Sequence, residues 1–363
     1  MRPPDPFELG FGEVEPVLAP PEPVPLPEEP SPSGKARTPR QIARARRRRA
    51  FAYNWAIYRR SRMGMSGMWI LVLFVLVAIA APLLADKSDL SVSAAARESA
   101  PILLPPSWIL SDRQLVEYGK NYGAAMAETA EEAQGTWKYP LGTDAAGRSI
   151  LSEIIWGSRI SLIVGLTASF FTMVIGSGVG LAGGYFRGKI DLVLERFTDW
   201  FLVMPWVILA IVLATIMGPS LWSILVVLAI VSWPTTSRLI RAQALSVRER
   251  PFVERARSLG GSHWHIITRH MLPNTFPIIF ANTILMIAAM ILSESYLSFL
   301  GLGDPNSISW GRMLDDAMEA GATTGGQWWY IVAPGLAITV TVLAFSMVGV
   351  AVEELTNPRL RKR

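Results

Sequence analysis

Four features of this 363-residue sequence have residue types and spacings that could do chemistry. They are a glycine-rich turn, a histidine trio, a polar elbow and acids at the edges of apolar runs. Gly183-Gly184-Tyr185-Phe186-Arg187-Gly188-Lys189 has the G-x-x-x-x-G-K spacing of a phosphate-binding loop. Such a loop needs Ser or Thr next, to hold Mg²⁺, and a strand before it. Ile190 follows here and an apolar run precedes, so the segment reads as a basic turn and the chain does not read as a nucleotide hydrolase. The histidines are His263, His265 and His270. On a helix, H-x-H spacing sets two rings about 200° apart, and a third ring five residues on misses that face too. No metal site is expected there. The absence of cysteine excludes disulfides, thiolate metal sites and cysteine nucleophiles. Neither H-E-x-x-H nor G-x-S-x-G occurs, so no hydrolase set is legible.

The elbow surrounds the histidines. The segment from Phe252 onward reads as a short polar helix ended by Gly260 and Gly261. Ser262 can cap a second helix running to Pro273. Two short helices joined by a glycine turn, between two apolar runs, fit a docking element for a partner. Two acidic features accompany it. Glu294 ends a charge-free run, and an acid in lipid costs a few kcal/mol unless it faces protein. It reads either as a hydrogen-bonded packing residue or as part of a pathway or gate. Asp191, Glu195, Arg196 and Asp199 open another apolar run and are expected to pair among themselves at the interface.

The elements that must position these residues are membrane spans. Apolar residues make up 51% of the chain and charged residues 17%, against about 25% charged in soluble domains. A helix crossing the ~30 Å hydrocarbon core needs about 20 apolar residues. Met68–Ala85, Ile160–Tyr185, Phe197–Met217, Leu221–Ser237, Met271–Ser293 and Trp328–Val352 qualify as six spans of an all-α membrane protein. Charge orients them. Lys35 to Arg62 carries eleven bases and no acid, and Arg238 to His270 carries seven Arg against two Glu. The alternate connections are acidic: Lys87 to Ser158 has six bases and nine acids, and Ser298 to Gln327 has one base and four acids. Both termini are therefore expected in the cytoplasm. A cleaved leader is not expected, because more than sixty residues precede the first apolar run.

The expected organisation follows from these boundaries. Residues 1–50 form a Pro/Glu-rich, then basic, cytoplasmic tail whose first part is too poor in apolar residues to fold. Residues 51–86 hold a juxtamembrane segment and the first span, and 87–158 an outside loop with a helical stretch from Arg113 to Gln134. Residues 159–352 form a five-helix core containing the elbow, and 353–363 a basic tail. Phe51, Tyr53, Trp55 and Tyr58 follow the basic cluster. Beside a span, this mixture fits anionic lipid better than nucleic acid. Gly176, Gly180 and Gly184 repeat every four residues, which lets helices approach closely. The seam they serve is either within this chain or with a partner.

The elbow resembles the EAA loop of ABC-importer membrane subunits. Glu254, Ala256, Gly260, Leu272 and Pro273 match its pattern, with Arg255 in place of the middle alanine and His270 where Ile is usual. Arg269 to Asn274 reads R-H-M-L-P-N, as in the peptide branch of that family. Leu141-Gly142-Thr143-Asp144 with Gly147-Arg148 and Leu151 is similar to its L-G-T-D-x-x-G-R-D-x-L signature, with Ser149 for Asp. Gly157 to Leu162, Leu297 to Gly303, Trp310-Gly311 with Met313-Leu314, Trp328-Trp329, Pro334-Gly335 and Asn357 to Arg361 also resemble motifs of the branch. The likeness runs over roughly residues 60 to 363.

The resemblance implies a C-type permease subunit of a dipeptide or oligopeptide importer, or of a relative importing nickel chelates or oligosaccharides, with the type I importer fold. It implies a bacterial or archaeal cytoplasmic membrane, a homologous second permease subunit, two cytoplasmic ATPases and an extracytoplasmic binding protein. ATP and Mg²⁺ would belong to the ATPases, and this chain would hold no cofactor. It further implies that Glu254, Arg255, Ala256, Arg257, Gly260 and Gly261, within a coupling loop spanning residues 241–272, meet an ATPase. The fourth and fifth spans would follow its motion. A membrane scaffold is the non-transport alternative, and it has no reason to carry these motifs in order.

Overall fold

The computed structural model describes residues 48–49, 52–85, 90 and 101–356. The expected unfolded tail lies outside these residues apart from Arg48 and Arg49, which are helical and exposed, and of the expected tail 353–363 only residues 353–356 are described, as the end of the last helix. Residues 1–52 form one unit and residues 53–363 another. The account below concerns the second.

The described residues contain α-helices and no strand. Helix α1 is Arg62–Leu84, capped by the Ser61 side chain. Its exposed Trp69, Leu73, Leu76, Ile79 and Leu83 form an apolar stripe of the kind lipid tolerates and water does not. A small cap follows. Here α2 (Asp112–Tyr122) opens with a Ser111/Gln114 capping box, and α3 (Ala124–Ala133) completes it. The expected single helix from Arg113 to Gln134 is thus two helices, because Gly123 takes φ +95° between them.

Helix α4 (Ile150–Phe186) has 37 residues, about 55 Å at 1.5 Å each, so it extends well beyond a membrane core. The next apolar run departs from expectation. Phe197–Met217 is not one straight helix: α5 (Gly188–Val203) and α6 (Trp206–Met217) meet at an 88° bend. Pro205 is the cause. A proline disfavours the helical region for the residue before it and offers no N–H, and Met204 takes φ −77°, ψ 132°. The 12-residue α6 reaches about 18 Å, short of a core. Five helical stretches are long and apolar enough to cross a membrane, six if the bent pair is one span.

Helix α7 (Leu221–Arg248) runs through Pro234. The elbow consists of α8 (Pro251–Ser258) and α9 (His263–Ile266). Pro273 was expected to end the second elbow helix, yet the backbone continues into α10 (Leu272–Leu297). A π-turn at Ile267–Met271 joins them. Its wider turn precedes Pro273, which sits in the first turn of α10, where its missing N–H costs nothing. A second π-turn at Ser298–Leu302, containing Gly301 at φ +74°, leads to α11 (Trp310–Glu319). Helix α12 (Trp328–Thr356) closes the described chain.

Packing centres on α4. It lies along α7, and α10 packs on α4 and α12 while α1 covers α12. The two seam options for Gly176, Gly180 and Gly184 resolve here in favour of this chain. A Cβ at Gly180 would stand 2.6 Å from Ser237 O, and one at Gly184 would stand 2.5 Å from Ala244 Cβ, both on α7.

Candidate functional site

The elbow has a buried base and an exposed corner. Val253, Ile266 and Met271 are fully buried and cluster with Tyr185 of α4 and Ile240, Ala244 and Val247 of α7. Glu254, Arg255, Arg257 and Gly260 are exposed, and Ala256 and Gly261 are half-buried. The corner turns because Gly260 adopts φ +78°, a region that costs other residues about 1–2 kcal/mol. Gly261 N donates to Ala256 O at 3.0 Å. A Cβ on Gly261 would come within 2.8 Å of that same oxygen. Ser262 caps α9 as expected, accepting from His265 N at 3.3 Å.

Leu259, 81% exposed, and Trp264, 76% exposed, flank the corner. They were not singled out from the sequence, although a Leu and a Trp in an otherwise polar elbow are the legible sign. Exposed apolar side chains beside exposed charges make a surface fit for protein contact.

The histidines separate into two settings. The Tyr185 hydroxyl and His263 Nδ1 share a 2.7 Å hydrogen bond. His265 and His270 were expected on different faces, yet their ring centroids are 5.6 Å apart. The π-turn accounts for this, since its i→i+5 closure brings residues five apart together.

The acids of α5 find partners on the neighbouring helix. Asp191 accepts from Arg241 Nε at 2.6 Å and from Nη2 at 2.8 Å, and Glu195 accepts from Nη2 at 3.2 Å. Asp199 pairs with Arg238. Arg196 is exposed and joins no ion pair among the described residues, contrary to expectation. Asp191, Glu195 and Asp199 recur every four residues and share a face, whereas Arg196 is turned about 100° from Glu195.

Glu294 is buried where α4, α10 and the second π-turn converge. Ser298 Oγ donates to its Oε1 at 2.8 Å. Ser161 and Ser295 donate to Oε2, each at 3.5 Å. Trp310 N in turn donates to Ser161 Oγ at 3.4 Å, which ties in α11. Glu294→Gln keeps an amide oxygen for these donors, so normal abundance and uptake are expected. Glu294→Ala leaves several buried hydroxyls unpaired, a loss of about 2–3 kcal/mol, seen as reduced abundance in the membrane. Lost uptake in the glutamine variant at normal abundance would instead place the charge on the pathway.

At the end of α4 remote from the elbow, Asp144 is buried in the turn before the helix. Its Oδ1 accepts from the backbone N–H groups of Ala146 (2.9 Å) and Arg148 (2.6 Å). Its Oδ2 accepts from Arg148 Nε at 2.6 Å. Arg148 Nη2 also reaches Glu153 at 3.1 Å and Asp316 of α11 at 3.3 Å. Burial holds the Asp144 carboxyl above its ordinary range, while Arg148 pulls it down. Burial alone would lower Arg148, but Glu153 and Asp144 outweigh it and raise the guanidinium.

Comparison with known proteins adds the lineage. Residues 174–362 match the model for binding-protein-dependent transport system inner membrane components. Residues 50–106 match the N-terminal membrane domain of oligopeptide transport permease C. The dipeptide transport system permease protein DppC of Bacillus subtilis (strain 168) is 29% identical over 309 residues, 85% of each chain. A protein named as a peptide permease in Brucella suis biovar 1 (strain 1330) is 37% identical over 225 residues, 62% of this chain and 74% of that one. A chain of the MetNI methionine ABC transporter, solved in an inward-facing conformation, superposes with TM-score 0.44 and 16% identity, over 58% of this chain and 97% of that one. By a model covering just over half of its length, the chain belongs to the family of binding-protein-dependent transport inner membrane components, and the match over residues 50–106 is to its C-type permeases.

Proposed function

We propose that this chain is a permease subunit of an ATP-driven importer of di- or oligopeptides, working by alternating access under the drive of partner ATPases. One observation carries the reading: an exposed corner of charged and apolar side chains stands on a rigid, fully buried base between α7 and α10. A force on the corner reaches two long helices without first deforming a loop. Packed helices respond to such loads by small rigid shifts rather than by bending. The relatives named as peptide and dipeptide permeases support the substrate class.

In this reading the chain pairs with a homologous permease subunit, two ATPases that carry ATP and Mg²⁺, and an extracytoplasmic binding protein. The elbow faces the cytoplasm, as do both termini. Glu254, Arg255 and Arg257 supply polar contacts to an ATPase, and Leu259 and Trp264 supply the apolar part. The chain's own work is positional: it holds the corner and moves α7 and α10 with it.

The test is Gly260→Asp in the complete complex. A Cβ at residue 260 meets nothing within 4 Å, so the fold accommodates the side chain and carries only backbone strain of about 1–2 kcal/mol. The protein is expected in the membrane at normal abundance, with uptake reduced about tenfold or more and ATP hydrolysis no longer responsive to the binding protein. Normal uptake would remove the coupling role of the elbow. Failure to recover any ATPase with the tagged chain in mild detergent would remove the importer reading.

A further inference from the structure

The elbow is tied to a third helix besides the two that continue from it in the chain. Tyr185, in the last turn of α4, is 3% exposed, and its hydroxyl bonds His263 Nδ1 at the elbow corner. The Arg257 guanidinium lies over the Tyr185 ring, 5.6 Å from its centroid, within cation–π range. Phe186 meets His263 edge-on, with centroids 5.5 Å apart. The next residue, Arg187, pairs with Glu249 in the turn before α8. Both helices of the elbow and the turn that enters it therefore hold the end of α4.

That end is also a hinge between helices. Arg187 and Gly188 both take positive φ, 55° and 59°, which stops α4 and starts α5 in a new direction. Behind them, Asp191 of α5 is clamped by Arg241 of α7. The α4–α5 corner is thus held on one side by the elbow and on the other by α7, with no long loop between.

We propose that Tyr185 and His263 are positioning residues of the coupling device, and that the end of α4 is its third limb. When the elbow moves, the hydrogen bond and the stacked Arg257 carry α4 and the bent pair α5–α6 along with α7 and α10. The proposal rests on the coupling role of the elbow stated above. Without the link, the elbow still docks and still drives two helices, but α4 lags.

The experiment uses the complete complex in liposomes with its binding protein, and reads substrate taken up per ATP hydrolysed. Tyr185→Phe keeps the buried ring and removes only the hydroxyl. A single hydrogen bond predicts about a two- to tenfold drop in uptake per ATP, with ATP turnover and abundance maintained. His263→Ala should give a similar drop, and the double variant should be no worse than either single one. The chain has no native cysteine, so Tyr185→Cys/His263→Cys offers one defined pair for a short thiol-specific cross-linker. Before cross-linking this variant should match the double variant, and after cross-linking uptake per ATP should recover.

Additive losses in the double variant, or uptake abolished by the cross-link, would show that α4 and the elbow move independently and would overturn the proposal. Gly260→Asp run in parallel separates the two layers. Uncoupling there, together with a blocking cross-link, overturns only the third limb. Normal uptake there overturns the coupling reading and this inference with it.

Discussion

Arg148→Met is expected to cost the protein about 3–5 kcal/mol, the range for removing one partner of a buried ion pair, and to deplete it from the membrane. The side chain it replaces is the hub of three carboxylates. Asp144 and Glu153 are 0% and 1% exposed, and Asp316 is partly buried. Methionine fills much of the same volume but offers no donor, so three negative charges would face one another with little water to screen them. Arg312, which pairs with Asp316 through Nε at 2.9 Å, would remain and would compensate only that acid. The cluster joins the turn before α4 to α11, so the loss should appear as separation of α11 from the start of α4. Denaturation of the purified chain in detergent checks the magnitude. Adding Glu153→Gln to Arg148→Met should recover part of it, because one uncompensated charge disappears. A variant as stable as the parent would mean that the cluster contributes nothing to folding.

Gly180→Leu is the second large effect expected. A Cβ at 180 already stands 2.6 Å from Ser237 O and 2.9 Å from Arg241 N. Both are backbone atoms in a helix, so neither can turn aside, and α4 must move off α7. Overpacking of this kind costs typically 1–3 kcal/mol and sometimes more. The displacement would also pull Arg241 away from Asp191, so a destabilised protein with little uptake is expected. Gly178 provides the control on the same helix. A Cβ there meets nothing within 4 Å, and Gly178→Ala should be neutral or gain up to about 1 kcal/mol of helix propensity. Equal behaviour of the two positions, measured by membrane abundance and melting in detergent, would contradict the seam.

The two glycines illustrate what a sequence discloses and what it withholds. Spacing by four flagged Gly176, Gly180 and Gly184 as a close-approach face. It could not say which helix approaches, because the pattern belongs to one surface and the partner to another. The acids of α5 repeat the lesson. Their spacing placed Asp191, Glu195 and Asp199 on a common face, but the nearby Arg196 drew the pairing that Arg238 and Arg241, about forty to fifty residues on, in fact provide. The apolar runs gave the helices and the glycine turn gave the elbow. Hydropathy saw one run where Pro205 makes an 88° bend, since apolarity is a property of composition and a bend is a property of one backbone amide. The Asp144 motif was visible only through resemblance. Its three-carboxylate environment depends on α11, more than 160 residues downstream.

The π-turn at Ile267–Met271 has a consequence for bearing as well as for hydrogen bonding. A π-turn amounts to an α-helix with one residue too many, and one residue corresponds to about 100° of rotation. Relative to an unbroken helix, everything ahead of the turn is clocked by that angle against everything after it. Shortening the stretch by one residue would set the rotation that α10 demands against the seat that α4 and α7 give Val253 and Ile266. The azimuth at which this protein offers its corner is therefore stored in part as a residue count, at a turn whose Met271 is buried against α4 and α7.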